Sequence, residues 1–212
     1  LEQSHGGFWN YPISDYSYIR NFYYPTNSMF AHFRNSLKAL VWNYGSSQEI
    51  LNKKISYLVG IPNKNIIALS GAAQIYPIIR NIFSNRKVCV PDITFGEYSR
   101  IFPNALKYRD MFEEGISIDE SIKGAELIII VNPNNPSGKI YSTKKIFSWV
   151  QNYPDKFFII DESFIEYSEE NSIIEYLEEN ILSNLLVLKS LSKSHGIPGI
   201  RLGFVFTQNQ NI

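Results

Sequence analysis

The sequence predicts an α/β layered domain built on a mainly parallel sheet, and two observations carry that prediction. From Ile66 onward, short β-rich runs alternate with segments of helical period, the order expected of strands joined by crossover helices. Those runs are apolar throughout and do not alternate with polar residues, as suits strands covered on both faces.

Taken in order, the expected strands are "IIALS" (66–70), "KVCVP" (87–91), "ALKYR" (105–109), "ELIIIV" (126–131), "FFIID" (157–161), "LLVLK" (185–189) and "RLGFVF" (201–206). "AQIYPIIRNIF" after the first and "TKKIFSWVQNY" after the fourth carry helical period. Ahead of the sheet, "SSQEILNKKISYLVGI" reads as a helix with Ser47 as its N-cap and Gly60 as its stop. Residues 1–43 stand apart as an N-terminal arm. They are rich in aromatics and show little periodicity until "MFAHFRNSLKALVWNY", a composition that packs on another surface, the chain's own or a partner's. Residues 44–212 form the domain, and a chain with 44% hydrophobic residues buries a sizeable core.

Several function classes are disfavoured. Twenty Lys plus Arg balance twenty Asp plus Glu with no basic block, which argues against nucleic acid or an anionic membrane as a partner. The longest apolar runs, "LIIIV" and "FFII", are strand-sized, far short of the ~20 residues of a membrane span. The start, "LEQSHGG", shows no charged-then-apolar signal pattern. The expectation is a soluble, cytoplasmic protein. Cys89, inside a strand, is expected to be a small buried hydrophobe. His5, His32 and His195 show no ligand spacing, so no metal is expected.

Ligands of open α/β sheets bind beyond the carboxyl ends of the strands, and here those ends are polar. The first runs into "SGAAQ", a small-residue turn whose free N–H groups near Ala72 and Ala73 could hold a phosphate. It is not GxGxxG, and "NPNNPSGK" after the fourth strand is not a Walker loop, since Pro133 stands where the upstream glycine belongs. The fifth ends in "IIDESFIEY", where an Asp closing a buried run is costly unless it meets a cation or donor. The sixth enters "LKSLSKSHGIPGIRLGF", with Lys193 among serines and Arg201 eight residues on. Each signal alone has a structural reading: a tight turn, a rigid loop, a helix cap, a solvated lysine.

Together they fit pyridoxal phosphate. That cofactor needs a lysine to condense with its aldehyde, an acid facing its pyridine nitrogen, donors for its 3-oxygen and phosphate, and a stacked ring. Lys193 and Asp161 are the expected lysine and acid. Asn135 would serve the 3-oxygen, and Ser190, Ser192, Arg201 and the Ala72 and Ala73 N–H groups the phosphate. Phe95, in "PDITFGEYSR", would be the ring.

"SLSKSHGIPGIRLGF" resembles the lysine signature of the fold-type I, class I/II aminotransferases, Ser-x-Ser-Lys with Arg at +8. "NPNNPSG" resembles that family's Asn-Pro-Asn-Asn-Pro-Thr-Gly, and "IIDESFIEY" its Asp-Glu-x-aromatic segment, in matching order and spacing. The branch it looks most like contains histidinol-phosphate aminotransferases and threonine-phosphate decarboxylases. The resemblance implies a three-layer pyridoxal-phosphate transferase large domain with a seven-stranded sheet. It implies an amino-acid or amino-phosphate substrate, a 2-oxo acid acceptor, and a homodimer with shared sites. Tyr44, in "NYGSSQEI", matches a tyrosine that reaches the neighbouring subunit's cofactor phosphate, with Gly45 where the family has proline. Many relatives carry tyrosine where Phe164 stands, which leaves more of the 3-oxygen to Asn135. Phe95, Phe164 and "SHGG" lean toward the decarboxylase pattern, in which His5 would help hold a substrate phosphate along with Asn135. Family members continue into a small C-terminal domain, so this chain is expected to be partial.

Overall fold

Seven strands form, all but β3 (Leu-Lys-Tyr) in largely apolar runs: β1 Ile66–Leu69, β2 Val88–Pro91, β3 Leu106–Tyr108, β4 Leu127–Val131, β5 Phe157–Asp161, β6 Leu185–Ser190 and β7 Gly203–Thr207. A computed structural model of the chain describes residues 12, 14, 19–110, 115–177 and 180–212. The strands make one sheet in the order β1-β7-β6-β5-β4-β2-β3. Five run parallel, β3 to β2 to β4 to β5 to β6, and β7 lies antiparallel between β6 and β1. The mainly parallel sheet expected from the sequence is therefore present, with one reversed strand.

The period of two in each strand sends alternate side chains to two separate cores. Ile128, Ile130, Phe158, Ile160, Leu185 and Val187 pack on one face. They meet α2 (Gln48–Val59), α5 (Ile118–Gly124) and α6 (Thr143–Asn152) through Ile55, Ile122, Ile146 and Trp149. Leu127, Ile129, Val131, Ile159, Leu186 and Leu188 pack on the other. There they meet α3 (Ile75–Ile82) and α4 (Gly96–Ile101) through Ile79, Tyr98 and Ile101. Helices on both faces make three layers. Cys89 lies in the first core and is fully buried, which pushes its thiol up to about 12.

Local signals explain the helix ends. Ser117 and Glu120 form a reciprocal capping box at the start of α5. Gly60 closes α2 in the left-handed conformation, φ 73°, as expected. Ser47 holds the N-cap position with extended backbone, as expected, although its hydroxyl makes no cap hydrogen bond. α1 (Asn27–Trp42) buries none of its residues. Among the described residues no helix is long and apolar enough to cross a membrane.

Period two also decides the fate of the two lysines around β6. Lys189 follows Leu185 and Val187 onto the α2–α5–α6 face. It is buried there in ion pairs with Glu162 (3.3 Å) and Glu166 (2.8 Å). Glu162 also accepts from Ser172 Oγ at 2.5 Å and Ile173 N–H at 2.8 Å. Glu162→Ala would leave a buried ammonium with a single, partly exposed partner. We expect a loss of about 3 kcal/mol in unfolding free energy by denaturant titration; a loss near zero would mean the network contributes no net stability.

Candidate functional site

One cavity opens at the carboxyl ends of the central strands. It is lined by Ala72, Ala73, Phe95, Asn135, Asp161, Ser190, Ser192, Lys193 and Arg201, together with Tyr76, Val131, Ser163, Phe164 and Pro198. The first nine are residues expected from the sequence, drawn from five separate loops. A larger groove of about 600 Å³ lies at the opposite strand ends, against Arg80, Arg86, Lys87 and Phe102, and none of the expected residues faces it.

Asp161 is the last residue of β5, and alternation turns it to the α3–α4 side with Ile159. It is 3% exposed and has no ion-pair partner among the described residues. Tyr98 Oη donates to its Oδ2 at 2.7 Å and the Ser163 N–H to its Oδ1 at 2.9 Å. Burial raises its pKa, opposed by the bonds from Ser163 and Tyr98 and by the charge of Lys189. A buried carboxylate in this state is completed by a cationic ligand group.

Lys193 belongs to α7 (Leu191–Ser194), the single turn after β6. Its Nζ lies over the Phe164 ring, 5.7 Å from the centroid. Burial lowers its pKa, the neighbouring Arg201 lowers it further, and Asp161 opposes both. The amine is thus biased toward its neutral, nucleophilic form.

The three asparagines of "NPNNP" divide their work. Asn132 exchanges two bonds with the Tyr141 backbone, at 3.0 and 2.8 Å. Asn134 donates to Ile93 O and Asp110 Oδ2, both at 2.7 Å, and accepts from Thr94 Oγ1 at 2.9 Å. Those two rivet the loop. Asn135 faces the cavity, and its side-chain amide makes no hydrogen bond among the described residues.

Around the phosphate-type donors the backbone comes unusually close. Gly71 has φ 76°, and a Cβ there would stand 2.5 Å from Arg201 Nη2. Only glycine lets the guanidinium cross this turn. The Ala72 and Ala73 N–H groups precede the first bond internal to the turn, Gln74 N–H to Gly71 O at 3.1 Å. Arg201 itself has φ 61°, a left-handed conformation rare outside glycine.

Two cavity-side tyrosines were missed. Tyr98 lies three residues beyond Phe95, and Tyr76 four beyond Ala72, so helical spacing puts each on its neighbour's face. Tyr76 packs against Phe95 (6.1 Å) and edge-on to Tyr98 (5.4 Å). Burial first, then the charge of Asp161, drives both hydroxyls well up, so both stay protonated donors. Tyr44 does not line the cavity and is fully exposed. His5 lies outside the described residues. Among the described residues no cluster of His, Cys, Asp or Glu could hold a metal.

Comparison with known proteins adds a family. The profile "Aminotransferase class I and II" matches residues 41–212. A histidinol-phosphate aminotransferase from Clostridium kluyveri is 30% identical over 82% of this chain and 52% of its own. An L-serine phosphate decarboxylase from Campylobacter jejuni is 28% identical over 83% of this chain and 49% of its own. The crystal structure of L-threonine-O-3-phosphate decarboxylase from Porphyromonas gingivalis superposes with a TM-score of 0.79 at 20% identity, covering 93% of this chain and 61% of that one. The chain spans about half the length of the two curated relatives named here.

Proposed function

The chain belongs to the class I and II aminotransferase family of pyridoxal-phosphate enzymes, and from that premise we propose that it is the cofactor-binding part of an aminotransferase. The reaction would move an amino group between an amino acid or amino-phosphate compound and a 2-oxo acid. One observation carries the reading: an amine of lowered pKa (Lys193), a buried carboxylate lacking a cation (Asp161) and an uncommitted amide (Asn135) face one cavity.

These residues fit the cofactor. Bound pyridoxal phosphate supplies an aldehyde that condenses with amines and a ring that takes up the electron pair released at the substrate's Cα. Lys193 Nζ, neutral, takes the proton from Cα and returns one on the far side of the transfer. Asp161 holds a proton on the pyridine nitrogen, and Tyr98 and the Ser163 N–H fix the carboxylate that does so. Asn135 donates to the 3-oxygen, a task Phe164 cannot share. Arg201, Ser190, Ser192 and the Ala72 and Ala73 N–H groups neutralise the phosphate, and Phe95 closes one wall.

Arg201 should therefore act twice. Arg201→Met removes a phosphate contact and a cation that depresses Lys193. The Lys193 pKa then rises, so the neutral fraction falls at any pH below it. Measured as cofactor uptake against pH, the half-maximal rate should move to higher pH and the cofactor affinity should fall. A profile identical to wild type would remove Arg201 from both roles.

A decarboxylase on the same scaffold is the second reading, favoured by phenylalanine at 164 and by the serine-phosphate decarboxylase relative. Product analysis of the full-length, cofactor-loaded protein separates the two. A keto acid from the donor amino acid supports transamination, and carbon dioxide with a primary amine supports decarboxylation.

We also read the enzyme as a homodimer. Leu37, Leu40, Val41 and Trp42 of α1 and Tyr57 and Leu58 of α2 are exposed, an apolar face that a second copy would cover. Tyr44, fully exposed and not lining the chain's own cavity, would reach a neighbour's phosphate in such a dimer. Sedimentation of the full-length protein tests the assembly, and Tyr44→Phe with weakened cofactor binding would support the shared site.

A further inference from the structure

Three polar groups of Asn21 are committed. Its backbone N–H donates to Lys193 O at 2.9 Å, its Nδ2 donates to Ser194 O at 2.9 Å, and its Oδ1 accepts from the Tyr23 N–H at 2.9 Å. The Tyr167 hydroxyl donates to the same Lys193 carbonyl at 2.8 Å. Lys193 and Ser194 end α7, a helix of four residues. A helix leaves its last carbonyls without partners, and a single isolated turn does not persist by itself. Leu191 O, Ser192 O and Lys193 O accept locally from the His195, Ile197 and Gly196 N–H groups at 3.2, 3.1 and 3.2 Å. A segment some 170 residues away in sequence adds donors to the Lys193 and Ser194 carbonyls.

The crossing is built for close approach. Gly196 has φ 60°, and a Cβ there would collide with the Tyr24 carbonyl oxygen and come 2.5 Å from that of Asn21. Tyr24 also sets its ring edge-on to His195 at 6.5 Å. Beyond Gly196 the loop offers little support, since Pro198, Gly199, Ile200 and Arg201 are all exposed or half-buried. Two residues before Asn21, Ile19 walls an apolar hollow shared with Asn135 and Phe164. One short segment thus borders the site and grips the backbone of its lysine.

We propose that Asn21 is a positioning residue for Lys193. The segment 19–25 adds a second set of donors to the C-terminal end of α7, beyond its own cap at His195, and so fixes where the Lys193 amine stands relative to Asp161 and Phe164. The inference rests on the reading of Lys193 as the cofactor lysine. Loosening the cap leaves the lysine in place chemically but lets its Cα wander, and misplacement by about 1 Å can cost about a hundredfold in rate.

The test uses the full-length holoenzyme. Asn21→Ala removes the Ser194 and Tyr23 bonds, Tyr167→Phe removes one donor from Lys193 O, and the double variant removes all three. Asn184→Ala is the structural control, since Asn184 Nδ2 anchors the carbonyls of Val150, Tyr153 and Lys156 away from the site. Two properties are read: deuterium uptake of the peptide spanning 191–197, and the pH midpoint of the bound cofactor's visible band. Each single variant should lose protection about fivefold, the equivalent of one hydrogen bond. Each should also shift the midpoint, with non-additive shifts in the double because the Lys193 and Ser194 carbonyls they release end the same helical turn. Asn184→Ala should lower stability without moving the midpoint. A borohydride-fixed label on a residue other than Lys193 in the wild type would overturn the underlying reading and the cap together. A label on Lys193 with an unchanged midpoint in Asn21→Ala and Tyr167→Phe would overturn the cap alone.

Discussion

Lys193→Ala is expected to lower turnover of the full-length enzyme by at least about a thousandfold while leaving the fold intact. The residue is half-buried in a cavity, its pKa is depressed by burial and by Arg201, and its backbone is held by Asn21 and Tyr167. On the proposed reading, removing it deletes both the amine that tethers the cofactor and the base that serves Cα, and base catalysis alone supplies about a hundredfold to ten-thousandfold. Lys189→Ala is the informative contrast. Its ammonium sits in the Glu162–Glu166 network on the far face of the sheet, so that variant should lose stability and retain cofactor labelling. Borohydride reduction and peptide mapping decide the matter. A phosphopyridoxyl group on Lys189 would reverse both assignments.

Asp161→Asn should cost comparable activity and yet stabilise the cofactor-free protein. In the folded state burial holds the Asp161 pKa above its unfolded value. The folded protein therefore keeps this proton to higher pH than the unfolded chain does. Stability is lost as pH rises from the unfolded pKa through the raised folded one, and the penalty is constant above it. Asparagine removes the penalty while accepting from Tyr98 at nearly the same place. The gain should be absent in acid, appear across that window and level off at neutral pH, as read by denaturation in the absence of cofactor. Turnover should fall by about a thousandfold or more, because a ring without its proton is a weak electron acceptor. A stable, loaded Asp161→Asn enzyme with near-normal turnover would refute the role.

The strands were legible because all but β3 are largely apolar runs, and their ends because a charge closing such a run needs a reason. Asp161 was singled out that way, whereas Lys193 and Arg201 stood out as charges in the serine- and glycine-rich stretch between the last two strands. The direction of β7 was not legible, since an apolar run reads the same in either sense. Tyr76 and Tyr98 escaped because an aromatic on the inner face of an amphipathic helix looks like any core residue. Only the pairing of Tyr98 Oη with Asp161, 63 positions away, gives it another part. Among the asparagines, composition marked the loop. The split between Asn132 and Asn134 as rivets and Asn135 as the free amide depends on long-range partners. Asn21 escaped because only its turn bond to Tyr23 is local, and its Lys193 and Ser194 partners lie some 170 residues away.

The reversed course of β7 has a kinetic corollary. β1 joins the sheet only through β7, Ile66 against Phe206 and Leu69 against Gly203. The β2–β4 and β5–β6 contacts close over much shorter stretches of chain. Closing a loop costs entropy that grows with its length, and distant pairings slow folding. The edge bearing Gly71–Gln74 should therefore dock after the parallel strands have paired, and the same event brings Arg201 to its turn. During refolding of the full-length protein, cofactor capture should lag behind the helical and sheet signals, and loss of the lag would mean that β1 and β7 zip early. On the proposed reading, a refolding chain would set Asp161 in its strand before the Gly71–Gln74 turn could grip a phosphate, and cofactor would serve as a check on that late strand.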